Sequence, residues 1–211
     1  EVWGDLHIEN GILSVTIPPD FWNNAVYPVR HAAGLTFGYT TNGASSTFWS
    51  ASHIEGSYFT GGAGTVDSMT YWVTTIGAGS WQKVGIYLKS NSSFVAEIGE
   101  WQLTAGYDNW KTLTAVSPPT ISAVDYWLVV FDRNNGNYAN YDTGSSGQGV
   151  DDTSTSAVYD GSPGWENPIS TATTNTNKYS IYATYTASGG GGNIPFTNPN
   201  LKVLQLMGIG T

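Results

Sequence analysis

The sequence contains no cysteine and few charged residues, and both features exclude classes of function. Without cysteine the chain has no disulfide, no thiolate zinc site and no cysteine nucleophile. Charged residues make up 11% of the chain, whereas they are about 25% of an average soluble domain. Since 7 Lys and Arg stand against 16 Asp and Glu, the net charge is −9, and nucleic-acid binding is not expected. No run of about 18 apolar residues occurs, so no membrane span is expected either.

Helical patterning is also absent, and alternating apolar and polar residues recur instead. Met69, Tyr71 and Val73 share one face of a strand-like segment, and residues 83–89 and 178–185 alternate in the same way. Residues 126–131 are apolar on both faces, which is typical of a central strand. Glycine, proline and asparagine turn signals follow every 8–12 residues or so. The pattern predicts an all-β fold, an antiparallel β-sandwich of the jelly-roll-like kind with N- and C-terminal extension arms.

Composition divides the chain into three segments. Residues 1–32 contain two short alternating runs joined at Asn10-Gly11, a strong hairpin signal, and are predicted to form a β arm. Residues 33–187 form the predicted sandwich domain, and residues 188–211 combine a glycine-rich linker with an apolar arm. The apolar residues of this C-terminal arm are Leu201, Val203, Leu204, Leu206 and Met207.

Apolar residues beyond a linker need a surface to cover them. If that surface belongs to a neighbouring subunit, the chain forms a homo-oligomer or a larger protein assembly. The alternative is an edge strand within the same chain or a disordered end.

Signals for catalysis are weak, and the chain is expected not to be an enzyme. His7, His31 and His53 lack the spacing of a metalloprotease motif, and no Gly-x-Ser-x-Gly nucleophile elbow occurs. Glu97 and Glu100 are close in sequence, but glycoside hydrolysis requires two carboxylates at a defined separation across a groove. A hydrolase or lyase therefore remains a third hypothesis.

Calcium is the candidate cofactor, because loops rich in carboxylate and amide oxygens are its usual ligands. Asp132 and Asn134 precede Gly136 at alternate positions, although the rest of an EF-hand is missing. The simpler interpretation of this segment is a hairpin turn between residues 129–132 and 138–141. A second oxygen-rich region supplies the other candidate metal ligands: Asp142, Asp151 and Asp152.

Nine tryptophans exceed the needs of one sandwich core and give the best indication of function. Trp72, Trp127 and Trp101 lie in strand patterns and are expected in the core. Trp49, Trp81, Trp110 and Trp165 lie beside turns, where an exposed ring can cover the C–H face of a sugar while amides and carboxylates bind its hydroxyl groups. The candidate glycan-binding residues are Trp49, Trp81, Trp110, Tyr138, Asn140, Tyr141 and Trp165.

Several segments of the chain resemble a recurrent sandwich module. These segments are residues 34–41 (Gly-Leu-Thr-Phe-Gly-Tyr-Thr-Thr), 54–60, 64–69, 124–130, 141–144 and 179–185. The module recurs in secreted, cell-surface and phage structural proteins of bacteria and archaea, and the resemblance covers about residues 34–186. It implies a fold but supplies no catalytic residues. Residues 2–11 look like the short β-repeats that precede domains in phage fibre and baseplate-type proteins.

These observations favour a non-catalytic structural or receptor-binding protein of a virion (a decoration, fibre or capsid-associated protein) or of an extracellular assembly. Glycan contact through exposed aromatic side chains is expected, with a cell-surface glycan as partner and an extracellular or virion-surface location. The alternative is a carbohydrate-binding module of a secreted polysaccharide-degrading enzyme. A flat aromatic strip would favour the module, whereas two acids facing each other across a groove would favour an enzyme.

Overall fold

The computed structural model describes residues 5–9, 12–16, 34–75, 81–133, 137–153, 165–170 and 172–188. Within these residues the chain forms strands and no helix. The first eight strands are β1 (Asp5–Glu9), β2 (Ile12–Thr16), β3 (Leu35–Gly38), β4 (Ser45–Phe48), β5 (His53–Thr60), β6 (Gly64–Thr75), β7 (Trp81–Leu88) and β8 (Phe94–Gln102). The others are β9 (Asp108–Thr114), β10 (Thr120–Ile121), β11 (Asp125–Asp132), β12 (Asn137–Thr143), β13 (Gly149–Asp152), β14 (Thr173–Asn175), β15 (Asn177–Tyr179) and β16 (Ile181–Ala187).

The chain divides into two compact units, one of residues 33–190 and one of residues 1–32 with 191–211. In the second unit the structure describes β1 and β2, which pair antiparallel with Glu9 opposite Ile12. The sequence predicts a hairpin at this place. Among the described residues, no helix has the length and apolar character needed to cross a membrane.

The described residues of the larger unit form two antiparallel sheets. One has six strands in the order β14-β13-β5-β11-β7-β8. The other has eight strands: β15, β12, β6, β16 and β3 form its main path, β4 pairs with β12, and β9 and β10 pair with β6. The predicted fold class, an all-β antiparallel sandwich, is confirmed.

The core contains inward-facing residues of both sheets. Met69, Tyr71 and Val73 of β6 are buried, as the alternation predicts, and they belong to one cluster with Leu128 and Val130 of β11. Strand β11 lies between β5 and β7, which confirms that residues 126–131 form a central strand. The predicted hairpin between β11 and β12 is wrong, because these two strands belong to different sheets.

Buried polar side chains tie the two sheets together. The Tyr71 hydroxyl of β6 donates to Gln82 Oε1 of β7 at 2.7 Å, and Gln82 Nε2 donates to Asp132 Oδ2 of β11 at 2.8 Å. Asn137 Nδ2 of β12 donates to the same Asp132 oxygen, and Trp101 Nε1 donates to the Tyr71 hydroxyl oxygen at 2.6 Å. Gln82 and Asp132 are both fully buried. Buried polar groups need such partners, so these bonds fix how the sheets align.

Candidate functional site

The outward face of the eight-stranded sheet carries an aromatic strip, which we define as Trp72, Trp110 and Tyr182. Trp72 of β6 lies directly opposite Trp110 of β9, and their ring centroids are 5.6 Å apart at an interplanar angle of 86°. Tyr182 of β16 contacts Trp110 with centroids 5.5 Å apart at 63°. All three side chains are half-buried, so part of each is accessible to a ligand.

A polar depression of about 370 Å³ lies on the same sheet. Its lining residues are Ala44, Ser45, Ser46, Thr74, Asp108, Tyr138 and Asn140. Tyr138 packs edge-on against exposed Phe48, with ring centroids 5.2 Å apart, and so adds a further aromatic pair to the face. Side chains with hydroxyl, amide and carboxylate groups therefore surround an aromatic ring, and the described lining residues include no Lys or Arg.

Asp108 joins the depression to the aromatic strip. Its Oδ1 accepts hydrogen bonds from Trp72 Nε1 at 3.2 Å and from the Thr74 hydroxyl at 2.6 Å. Asn140 Nδ2 donates to Asn42 Oδ1 at 2.7 Å. These bonds hold the carboxylate and the amide in fixed positions beside the rings, where they can bind sugar hydroxyl groups.

Asp142 anchors the loop that closes one side of the depression. Its Oδ1 accepts a hydrogen bond from the backbone N–H of Ala44 at 2.8 Å, and its Oδ2 accepts one from the Tyr39 hydroxyl. The Tyr39 hydrogen bond is the main cause that lowers the pKa of the Asp142 carboxyl, followed by the Ala44 N–H and the charge of Lys178. The same bond raises the pKa of Tyr39. Asp142, a candidate calcium ligand, thus has a structural role here.

Three of the predicted glycan-binding residues meet on this face: Trp110, Tyr138 and Asn140. Trp81 lies in β7 of the other sheet and is half-buried. Tyr141 alternates with Asn140 and points inward, where it contacts Tyr179 with ring centroids 6.1 Å apart. The structure therefore separates these two aromatics from the strip.

The exposure assumed for Trp49 and Trp165 is corrected, because both indoles fold back into the protein. Trp49 is 2% exposed and stacks on Tyr179 with centroids 5.3 Å apart. Trp165 is 9% exposed, stacks on Phe94 and donates from Nε1 to Glu97 Oε2 at 2.8 Å. It covers the outward face of the six-stranded sheet, so neither ring is available to a sugar.

Sequence reasoning missed Trp72, Tyr182 and Asp108. The prediction that Trp72 lies in the core is wrong, because Trp72 alternates with buried Tyr71 and Val73 and therefore lies on the outward face. The signal was present in the alternation itself, since neighbouring residues of a strand point to opposite faces. No local pattern indicates Asp108, because its place beside the rings depends on the pairing of β9 with β6.

The candidate calcium ligands occupy separate environments. Asp132 is buried within the sheet-to-sheet hydrogen bonds described above, and Asn134 lies outside the described residues. Asp152 is fully buried, and Asp151 points to the opposite face of β13. The described candidates are therefore not brought together into a calcium site, and the part of the prediction that concerns Asn134 stays a prediction.

Asp151 instead lies with His53 and Glu55, and the ligand atoms of the three side chains all lie within 4.8 Å of one another. His53 Nδ1 is 2.7 Å from Asp151 Oδ1. Burial is the main cause that raises the pKa of Glu55 to about 7, and the charge of Asp151 raises it further. Glu55 was not a sequence candidate, and its proximity to Asp151 across β5 and β13 arises only in the fold.

The sequence offers Glu97 and Glu100 as a carboxylate pair for glycoside hydrolysis. Lys83 Nζ lies 3.2 Å from Glu97 Oε2 and 3.7 Å from Glu100 Oε2, so both acids are paired with one cation. The apolar C-terminal residues 201–207 lie outside the described residues, and the predicted assembly arm stays a prediction.

Comparison with known proteins finds similar solved structures but no matching family model. No family model matches the chain, and no curated protein matches it. Two solved structures of Cwp84 match it with a TM-score of 0.50 and 13% identity over 83% of this chain. One is described as a clostridial cysteine protease after propeptide cleavage, the other as the cysteine protease and lectin-like domains of a surface layer associated protein of Clostridium difficile.

The chain spans about two fifths of those proteins, 42% and 38% of their lengths. At this identity the similarity supports the fold alone. A third structure, the C-terminal CBM6 of LamC, a marine laminarinase from Zobellia galactanivorans, has a TM-score of 0.28 and 15% identity, with 51% of this chain and 94% of that chain covered.

Proposed function

We propose that the larger unit is a non-catalytic carbohydrate-binding domain that binds a neutral glycan chain on the outward face of its eight-stranded sheet. The observation that carries this proposal is the adjacency of the aromatic strip to the polar depression, with Asp108 bonded to both Trp72 and Thr74. Sugars present an apolar C–H face and a rim of hydroxyl groups, and this surface offers partners for each.

The arrangement of the rings favours a single glycan chain over a crystalline surface. Trp72 and Trp110 are nearly perpendicular, as are Phe48 and Tyr138. Perpendicular rings offer separate faces for individual sugar rings, whereas a crystalline polysaccharide needs coplanar rings. The described residues of the depression supply one carboxylate and no cation, and the net charge is −9, so a neutral glycan fits better than an acidic one.

The alternatives receive less support from the residues. The enzyme hypothesis depends on facing acids, and Glu97 and Glu100 share Lys83. The virion hypothesis depends largely on the apolar arm, which lies outside the described residues. The lectin-like domain named for Cwp84 belongs to a surface layer associated protein, and an extracellular or cell-surface location is part of our proposal for this chain.

Affinity electrophoresis in gels containing soluble neutral polysaccharides tests the proposal. We expect at least one polysaccharide to retard the protein and Trp110→Ala to weaken that binding about tenfold. The reason is that covering roughly 60 Å² of ring face contributes about 1.5 kcal/mol at ~25 cal/mol per Å². Tyr58→Ala is the matched control, because Tyr58 is a half-buried aromatic on the six-stranded sheet.

Retardation of wild type and Tyr58→Ala with loss in Trp110→Ala supports the proposal. Equal retardation of both variants places binding elsewhere and contradicts it. Release of reducing sugar during the assay contradicts the non-catalytic part.

A further inference from the structure

The structure assigns a binding site for a divalent transition-metal ion, of the zinc type, to His53, Glu55 and Asp151. The site lies in the six-stranded sheet and shares no residue with the glycan-binding face. It is independent of the proposed function.

The sheet register brings the three residues together. Glu55 of β5 and Asp151 of β13 are directly paired, so their side chains project from the same face of the sheet. His53 lies two residues before Glu55 in β5 and therefore shares that face. Nearly 100 residues separate the two strands in the chain, and the close approach depends on the β5–β13 pairing.

The distances suit a small coordination sphere. All ligand atoms lie within 4.8 Å of one another, and His53 Nδ1 and Asp151 Oδ1 are already 2.7 Å apart. Metal bonds of about 2.0–2.1 Å at tetrahedral angles put ligand atoms roughly 3.3 Å apart. Small side-chain shifts therefore accommodate an ion with three protein ligands, and a water molecule supplies the fourth ligand.

The surroundings support Glu55 as a fixed ligand and leave an entry path. The backbone N–H of Ser50 donates to Glu55 Oε1 at 2.7 Å, and the Tyr179 hydroxyl donates to Oε2 at 3.1 Å. Hydrogen bonds of this kind orient ligating carboxylates. Glu55 is 4% exposed, whereas the His53 and Asp151 side chains are 23% and 30% exposed, so an ion enters past His53 and Asp151.

The chemistry of the donors selects the class of ion. An imidazole nitrogen with two carboxylates suits zinc and related transition metals, whereas calcium takes six to eight oxygen ligands. A buried carboxylate beside a second carboxylate is costly without a cation, and among the described residues no Lys or Arg forms an ion pair with either acid. A bound ion compensates both charges.

Isothermal titration of the EDTA-treated chain with Zn²⁺, and separately with Ca²⁺, tests the assignment. We expect one Zn²⁺ per chain, a higher melting temperature with Zn²⁺, and at least tenfold weaker binding in His53→Ala and in Asp151→Asn. Both altered side chains are partly exposed, and circular dichroism checks that the variants fold. Asp125→Asn is the control, since Asp125 pairs with Thr60 at the opposite end of β5.

Cobalt provides a second readout, because the Trp49 indole stacks on Tyr179, whose hydroxyl binds Glu55. Co²⁺ should quench tryptophan fluorescence in wild type and Asp125→Asn, and much less in His53→Ala. Zn²⁺ binding that persists in both site variants, absence of Zn²⁺ binding, or preference for Ca²⁺ over Zn²⁺ would overturn the assignment. Glycan binding is measured on the same samples and need not change.

Discussion

The substitution Gln82→Leu is expected to destabilise the sandwich by about 3 kcal/mol. Gln82 is fully buried, accepts a hydrogen bond from Tyr71 and donates one to the Asp132 carboxyl group. Losing these two bonds inside the protein costs roughly 1–3 kcal/mol for each buried group left without that partner. A buried leucine of similar volume recovers about 1 kcal/mol through its apolar surface. The net loss lowers the melting temperature by roughly 6–12 °C for a chain of this size.

Urea unfolding followed by tryptophan fluorescence measures this loss. An unchanged m-value shows that wild type and Gln82→Leu expose the same surface when they unfold. The matched control is Gln102→Leu, an exposed glutamine at the end of the neighbouring strand β8, with an expected change of less than about 0.5 kcal/mol. A loss below about 1 kcal/mol in Gln82→Leu would refute the claim that this buried contact ties the two sheets together.

Three further predictions concern individual side chains. The pKa of the Asp142 carboxyl is lowered from 3.8, so the carboxylate that accepts the Tyr39 hydrogen bond is present above pH 3.8 and is lost only at lower pH. Glycan binding should therefore stay constant from about pH 7 to pH 5 and weaken in more acidic buffer. The substitution Asp142→Asn should weaken glycan binding at every pH in this range. Trp49→Phe keeps an aromatic ring beside Tyr179 and removes a buried indole N–H that has no hydrogen-bond acceptor among the described residues, so thermal unfolding should show a loss below about 1.5 kcal/mol, against about 3–5 for Trp49→Ala. Trp165→Ala should cost about 3–5 kcal/mol by the same assay and should speed proteolysis of the segment that covers the six-stranded sheet; unchanged proteolysis would contradict its role as a cover.

The fold class follows from the sequence because the period-2 alternation is strong. The alternation around Tyr71 places its neighbours in the core, and the continuous apolar run at 126–131 marks the central strand β11. Which strands pair depends on residues far apart in the sequence. The local turn signal between β11 and β12 therefore led to the wrong prediction of a hairpin. Such a signal indicates only that the chain turns, and here the next strand joins the other sheet.

The candidate site was partly predictable for the same physical reason. Trp110, Tyr138 and Asn140 lie on the candidate face as their local chemistry predicts, and their binding of a glycan stays a prediction. For Trp49 and Trp165, proximity to a turn said nothing about whether the ring folds back into the protein, and burial of a large aromatic surface strongly favours folding back.

The candidate metal ligands show what a local sequence pattern cannot predict. Asp132 lies in an oxygen-rich stretch of sequence, yet its oxygens serve the sheet-to-sheet hydrogen bonds. Asp151 belongs to a mixed nitrogen and oxygen cluster whose other members, His53 and Glu55, are distant in sequence. Only the strand pairing could identify that set.

The most direct test of the proposed glycan-binding face is a titration of the ¹⁵N-labelled protein with an oligosaccharide, followed through the tryptophan indole N–H signals. Trp72 and Trp110 lie on the proposed face, whereas Trp49, Trp127 and Trp165 are buried elsewhere. We predict large shifts for Trp72 and Trp110 and small shifts for the three buried indoles. Shifts confined to Trp127 and Trp165, on the six-stranded sheet, would contradict the account.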